Sequence, residues 1–342
     1  MDPHPHHRRL ENRPSPRPGQ ETHFVPVPRA MSRSARPPVG KGHGLLASAV
    51  RLAIAALAAT LVLGGCAARY PAGLVVDRSI QSASQDSRVR FIVLHYTAGN
   101  DGASLLTLSH GDVSAHYLVS DTHPVHVYQL VPEDRNAWHA GESSWYGRTY
   151  INNASIGIEI VNRGGRRAPD GAWQWEPYHD DQIRAVMLLV KDIARRHGIL
   201  PKNIVGHSDI APQRKVDPGP LFPWRRLAMA GLGRWYDEGA VPGLQAFFEK
   251  NGLPDASWFQ ERLKRLGYDV RQTGVFDIET TRVLAAFQMH YRAIRYDGVA
   301  DAQTAAILLA FPAAPVKPTG TDEGSATRGQ APSRVLATGS MP

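Results

Sequence analysis

Short apolar runs recur through the middle of the chain and predict the strands of a β-sheet. They lie at 89–95, 116–119, 126–131, 156–161 and 203–207. Between the last two runs, apolar residues recur at three- and four-residue spacing within 178–197. Acidic side chains begin this segment and basic ones end it, as is typical of an amphipathic helix. We therefore expect an α/β domain in which this helix packs against the sheet.

The segment 163–177 interrupts this pattern. It is polar and glycine-rich, and it carries Trp173 and Trp175. We interpret it as a loop or hairpin. Its tryptophans either wall a substrate groove or clamp the segment onto the body of the domain, and the sequence does not separate these two functions.

A second group of helices is predicted at the C-terminal end. Helices are expected near Pro223 and 243–250, followed by a separate three-helix unit over 254–311. Within this unit the helical runs are 257–266, 278–288 and a third after 301, with Asp277 and Asp301 as N-caps and Gly274 and Gly298 in the turns. Residues 312–342 are rich in Pro, Gly, Ser, Thr and Ala without an apolar period, so we expect them to be disordered.

The charge of the chain is concentrated at its start. Residues 1–65 hold nine Lys and Arg against three Asp and Glu, a net charge of +6. Because the whole chain carries +8, residues 66–342 retain only +2. A nucleic-acid-binding protein needs a basic surface on its folded part. We therefore expect no nucleic acid among the partners.

The single cysteine, Cys66, follows a segment with the features of a lipoprotein signal peptide. Residues 52–65 are uncharged and mostly apolar, follow several basic residues and end in Leu-Gly-Gly. The stretch is too short for a comfortable membrane span. We expect lipidation at Cys66, a tether over 66–73, and a translation start at Met31 in place of Met1. A buried helix with a chance LGGC is the alternative.

The segment 206–224 concentrates side chains capable of catalysis. His207 and Asp217 lie ten residues apart, with Lys215 between them and four prolines that stiffen the backbone. Catalytic zinc takes three protein ligands and leaves a fourth position for water. His95 ends a predicted buried strand and is the third candidate. We therefore expect His95, His207 and Asp217 to hold a metal.

Glu159 and Lys215 are the candidate catalytic residues. Alternation in the run SIGIEI places Glu159 on the face opposite to its isoleucines. Burial would raise the pKa of this carboxylate towards that of a useful general base. An exposed glutamate on an edge strand is the alternative. Lys215 could stabilise an oxyanion, although a solvated surface lysine is its ordinary interpretation.

Five blocks of sequence resemble the zinc-dependent N-acetylmuramoyl-L-alanine amidases, in their order. The blocks are VLHYTA (93–98), SAHYLV (114–119), AWHAG (137–141), SIGIEIVN (155–162) and GHSDIAPQRKVDPGP (206–220). The resemblance is to the lipoprotein branch of a fold shared with peptidoglycan recognition proteins. GVFDIETTRVLAAFQ and DGVADAQT in the C-terminal unit are similar to a three-helix peptidoglycan-binding module.

This resemblance implies a mixed central sheet flanked by helices, with the catalytic domain over 74–240 and a peptidoglycan-binding domain over 254–311. It implies one Zn²⁺ per chain and cleavage of the amide between N-acetylmuramic acid and L-alanine, in peptidoglycan or muropeptides. His116 and His139 lie within the blocks and Asn153 lies two residues before one of them, and all three are expected to contact substrate or support the site.

We expect a monomer. The leader predicts that it is held by lipid at the periplasmic face of the outer membrane, since Ala67 is not the aspartate that resembles the signal for retention in the inner membrane. Three other functions stay open. One is a non-catalytic peptidoglycan-recognition lipoprotein. Another is a serine or cysteine peptidase, although the chain has no G-x-S-x-G and its one cysteine is in the leader. The third is glycan cleavage by paired carboxylates.

Overall fold

The structure is a computed structural model that describes residue 71 and residues 73–171 and 173–312. Contacts divide the chain into two compact units, residues 1–81 and 82–342. The predicted leader, the predicted lipidation site Cys66 and the predicted tail beyond residue 312 lie outside the described residues. Among the helices that the structure describes, none combines the length and apolar character needed to cross a membrane.

A five-stranded sheet forms the centre of the second unit. In the order β3-β2-β6-β1-β9, its strands are β3 Val127–Gln129, β2 Tyr117–Val119, β6 Ser155–Ile160, β1 Phe91–Tyr96 and β9 Ile204–Gly206. All neighbouring pairs are parallel except β2 and β3, which are antiparallel. The five predicted strands and the mixed sheet are therefore confirmed.

Successive residues of β1 point to opposite faces of the sheet, and both faces are covered. Ile92 and Leu94 pack with α2 (Asp180–His197), whose buried positions Ile183, Val186, Val190 and Ile193 are those that the spacing predicted. Phe91 and Val93 pack on the other face with the C-terminal helices. Helix α1 (Asp101–His110), capped by the Asn100 side chain, was not predicted because it buries only Ser104 and Leu108.

Short elements connect the sheet to the C-terminal part. They are the hairpin strands β4 Ser144–Trp145 with β5 Arg148–Thr149 and β7 Gly165–Arg167 with β8 Trp173–Trp175, and the helices α3 His207–Ile210, α4 Trp224–Met229 and α5 Val241–Asn251. The β7–β8 hairpin answers the question left open for its tryptophans. Trp175 donates its indole N–H to the Tyr296 hydroxyl at 2.7 Å, and Trp173 stacks on Trp175. The pair therefore clamps the hairpin.

Three further helices follow, α6 Ala256–Leu266, α7 Ile278–Tyr291 and α8 Ala302–Leu309. The N-caps Asp255, Asp277 and Asp301 each accept a hydrogen bond from the amide three residues on, as predicted for two of them.

These helices share a hydrophobic core with the sheet. Phe259, Leu263 and Phe287 share one core with Phe91 and Val93 of the sheet. The reason is that the second face of the sheet is also apolar and must be covered. The helical segment provides that cover.

Candidate active site

Three predicted ligands meet at one edge of the sheet. His95 lies near the end of β1, and His207 follows β9 directly, so two parallel neighbours bring both imidazoles to the same edge. The Nδ1 atoms of His95 and His207 are 3.0 Å apart. Oδ2 of Asp217 lies 3.0 Å from Nδ1 of His95 and 3.1 Å from Nδ1 of His207. All three residues are buried. The structure therefore brings together the set proposed from the sequence.

A chain of hydrogen bonds fixes where His95 carries its proton. The Ser155 hydroxyl donates to the Ile151 carbonyl at 2.8 Å, so it can only accept from Nε2–H of His139, at 3.0 Å. Nδ1 of His139 therefore has a free lone pair and accepts from Nε2–H of His95, at 3.1 Å. It follows that Nδ1 of neutral His95 presents a lone pair to the site.

His207 is held in the same tautomer by a different partner. Its Nε2–H donates to the Ala140 carbonyl at 3.2 Å, which leaves Nδ1 as the lone-pair atom. Burial, and then the neighbouring His207, lower the pKa of His95 to about 4, so its ring is neutral.

Three electron-donating atoms thus converge within 3.1 Å with no proton between them. Such an arrangement is repulsive unless a cation lies among the atoms. Two imidazoles and one carboxylate are ligands that zinc accepts, and the outer nitrogens of both imidazoles are hydrogen-bonded as in known zinc sites. The residues present therefore fit a zinc ion.

Glu159 lies beside this cluster. Its position in β6 pairs with His95 in β1, so both side chains point to the same face of the sheet. Its Oε2 atom is buried and, within the described residues, has no hydrogen-bond partner. Burial, and then the charge of Asp217, raise its pKa well above the usual value, while Lys215 opposes them. Because β6 is a central strand, the edge-strand alternative is wrong.

A cavity of about 350 Å³ joins these groups to the surface. Glu159, Lys215 and the three ligand residues line it, and Lys215 is partly buried there. Trp138 stands at the same wall with 58% of its surface exposed. Sequence reasoning did not single out Trp138, although its place before His139 in the AWHAG block was the available signal.

Of the remaining predicted residues, His116 supports the backbone around the site, whereas Asn153 lies away from the cavity. His116 is buried, accepts from the Gly157 amide at 3.0 Å and donates to the Arg135 carbonyl at 3.2 Å, so both of its nitrogens serve the backbone. Asn153 is exposed and does not line the cavity. Its neighbour Asn152, which was missed, accepts from the amides of His139 and Ala140 at 3.1 and 2.8 Å.

Arg214 was also missed. Its guanidinium donates to the carbonyls of Ala140 and Glu142, and so ties the His139 loop to the segment that carries Lys215 and Asp217. The arginine was visible next to Lys215, but only the fold shows which carbonyls it reaches.

Comparisons with known proteins agree with this geometry. Residues 85–220 match the family model described as N-acetylmuramoyl-L-alanine amidase, and residues 252–308 match a putative peptidoglycan binding domain. The chain is 44% identical over 260 residues to N-acetylmuramoyl-L-alanine amidase AmiD of Escherichia coli K12, which covers 73% of this chain and 94% of AmiD. It is 43% identical over 101 residues to 1,6-anhydro-N-acetylmuramyl-L-alanine amidase AmpD of Enterobacter cloacae, covering 30% of this chain and 49% of AmpD.

Two solved structures are similar over most of their length. AmpDh3 from Pseudomonas aeruginosa in complex with anhydromuramic pentapeptide has a TM-score of 0.64 and 43% identity, covering 70% of this chain and 97% of that one. AmiD from E. coli with the substrate anhydro-N-acetylmuramic acid-L-Ala-D-γ-Glu-L-Lys has a TM-score of 0.62 and 42% identity, covering 71% and 95%. With its fold, its site and these relatives in agreement, the chain belongs to the N-acetylmuramoyl-L-alanine amidase family.

Proposed function

We propose that this protein hydrolyses the amide bond between N-acetylmuramic acid and L-alanine in peptidoglycan or its muropeptides. The family membership supports the reaction. The observation that carries the proposal is the meeting of two imidazole nitrogens and a carboxylate oxygen at 3.0–3.1 Å beside Glu159, whose buried Oε2 has no hydrogen-bond partner within the described residues.

His95, His207 and Asp217 would hold one zinc ion, through the two Nδ1 atoms and Oδ2. When bound, zinc supplies a Lewis acid that polarises the scissile carbonyl and activates water at neutral pH. The hydrogen bonds from His95 to His139 and from His207 to Ala140 keep the two lone pairs aimed at the ion.

Glu159 would move the proton. Its raised pKa and free Oε2 suit a group that takes the proton of the attacking water and returns it to the departing L-alanine nitrogen. Lys215 would place its ammonium near the oxyanion formed by that attack. His116 is a poor alternative base because both of its nitrogens are bonded to the backbone.

The helical segment would bind the intact wall. A cavity of about 710 Å³ lies between this segment and the β4–β5 hairpin, and four basic residues line it with no acidic one: Lys202, Arg234, Arg262 and Arg265. The aromatic rings of Tyr146, Trp235 and Phe311 share its wall. γ-Linked glutamate in a stem peptide leaves its α-carboxylate free, and arginine binds carboxylates well.

The leader motif supports a proposal for the cellular location of the mature protein. Lipidated at Cys66, it would be anchored as a monomer to the periplasmic face of the outer membrane. A non-catalytic recognition lipoprotein is the alternative, and the complete ligand set with Glu159 argues against it.

The test compares the wild type with Glu159→Gln and Lys215→Ala on a soluble muropeptide, with the products identified by mass spectrometry. Both variants should keep one zinc. Turnover should fall on the order of 10²–10⁴ for Glu159→Gln and on the order of 10²–10³ for Lys215→Ala. Glu249→Gln, an exposed carboxylate on α5, is the matched control and should be unaffected.

The pH profile separates the two roles. Because the pKa of Glu159 is raised, kcat/KM of the wild type should fall on the acid side at a pH well above the usual glutamate value of 4.5. This acid limb should vanish or move in Glu159→Gln and persist in Lys215→Ala. An unchanged acid limb in zinc-loaded Glu159→Gln would reassign the base.

A further inference from the structure

A buried carboxylate outside the catalytic cavity joins the helical segment to the candidate metal site. Asp209 lies on α3, two residues after His207, and is 1% exposed. Its Oδ1 accepts from the Tyr268 hydroxyl at 2.7 Å, and its Oδ2 accepts from Nδ1–H of His290 at 2.8 Å. Tyr268 and His290 both belong to the helical segment 254–311, which sequence reasoning connected only with wall binding.

The same carboxylate holds the backbone that carries His207. Oδ2 of Asp209 also accepts from the amide of Gly206 at 2.7 Å, directly before the ligand residue. The amide of Ser208, directly after the ligand residue, donates to the Asp217 carbonyl at 2.8 Å. The two ligand-bearing segments are therefore fixed to each other, and Asp209 is fixed to both of its partners in the helical segment.

Packing around His290 leaves little freedom for these bonds to shift. Its ring stacks on Trp224 with 3.9 Å between centroids and on Tyr291 with 4.0 Å. A Cβ added to Gly206 would lie 2.7 Å from Cδ of Pro218, the residue after Asp217, and 3.1 Å from the Trp224 ring. A displacement of His290 would therefore be passed through Trp224 and Asp209 to both ligand segments.

The energetics favour a fixed arrangement. A buried carboxylate is stable only when donors surround it, and removing one partner leaves the charge uncompensated. Two of the three donors to Asp209 come from the helical segment. Without them Asp209 would have to turn towards water, and the Gly206 amide would lose its partner one residue before His207.

We propose that Asp209, Tyr268 and His290 are positioning residues for zinc, so that the helical segment is part of the scaffold of the metal site as well as a wall-binding element. The inference rests on the proposed zinc site. It predicts that a change at His290, in the helical segment, alters zinc affinity.

The test uses the full chain with His290→Leu, His290→Asn and Tyr268→Phe. The asparagine amide can occupy the position of Nδ1–H and donate to Asp209, whereas leucine cannot. Zinc dissociation constants are measured by competition with a chromophoric chelator, and thermal unfolding is followed on zinc-free protein. Arg282→Ala, an exposed change on the same helix, is the control.

His290→Leu should weaken zinc binding about tenfold, the lower end of the effect of losing an outer partner of a metal site. His290→Asn should restore most of the affinity, and excess zinc should restore muropeptide cleavage by His290→Leu. A purely structural role would lower the unfolding temperature of zinc-free His290→Leu and leave its zinc affinity unchanged, which would overturn the proposal.

If His290→Leu does not fold, Tyr268→Phe decides, because it removes one hydroxyl and keeps the ring. Tyr268→Phe with wild-type zinc affinity would then refute the inference. The proposed function fails separately: a wild-type protein that binds no zinc or leaves muropeptides intact contradicts that function, whereas normal zinc binding in all variants contradicts only the positioning role.

Discussion

Gly157 tests whether the orientation of His139 controls metal binding. The residue lies in β6, and an added Cβ would stand 2.7 Å from Nδ1 of His139 and still closer to two carbons of the ring. Ordinary contacts begin near 3.4 Å. In Gly157→Ala the ring must therefore retreat by roughly 1 Å, an overpacking that costs about 1–3 kcal/mol.

That retreat has a predictable chemical consequence. His139 is joined to His95 at 3.1 Å and to Ser155 at 3.0 Å, and a shift of this size stretches at least one bond beyond hydrogen-bonding distance. His95 would then no longer be held with its lone pair towards the site. Loss of such an outer partner lowers metal affinity by about 10–100-fold.

The assay is the zinc dissociation constant of Gly157→Ala, with thermal unfolding of the zinc-free protein to measure the packing cost. Gly243→Ala is the control because Gly243 lies in α5 and an added Cβ would meet no atom within 4 Å. A folded Gly157→Ala protein that binds zinc as tightly as the wild type would refute the role given to His139.

Three further predictions concern stability, wall binding and the leader. Hydrogen bonds from Arg196 lower the pKa of Glu133 to about 2, so their stabilisation should be complete above about pH 4.5 and lost as the pH falls towards 2. Because the pair is partly exposed, Glu133→Gln should cost about 1–2 kcal/mol at pH 7 in urea unfolding of zinc-free protein and little at pH 2, and an equal cost at both would contradict this. Reversing Arg262 and Arg265 to Glu should weaken binding to intact sacculi, most clearly at low salt, and leave cleavage of soluble muropeptides unchanged; unaltered sacculus binding would exclude this cavity. A palmitate analogue should label the wild type and not Cys66→Ser, and label on the serine variant would contradict lipidation at Cys66.

Local sequence patterns predicted most of the fold because they depend on near neighbours. The spacing of Ile183 and Val186 sets the buried face of α2, and Asp277 caps α7 three residues away. Helix α1 was not predicted because it buries too few apolar residues to give a helical repeat of hydrophobic positions. The run FIVLH did contain a missed signal: a strand that is apolar throughout needs cover on both faces, and the C-terminal helices provide it.

The residues of the site also divide into those that local sequence predicts and those that only the fold brings together. His95, His207 and Glu159 could be proposed from strand ends and alternation, because both features are local. The support could not: His290 lies 81 residues from Asp209, and only the fold brings them together. Asn152 was missed because adjacent asparagines look alike in sequence. In the structure Asn152 accepts from the amides of His139 and Ala140, whereas Asn153 accepts from the Asn136 side chain.

The most direct test of the proposed hydrolysis uses water enriched in ¹⁸O. Zinc-loaded wild-type protein and Glu159→Gln are incubated with a purified muropeptide, and the products are analysed by mass spectrometry. The account predicts that the wild type releases a peptide with a free L-alanine amine and places one ¹⁸O in the lactyl carboxylate of the muramic acid, while Glu159→Gln does so far more slowly. An intact muropeptide, or ¹⁸O in a cleaved sugar or within the peptide, would contradict it.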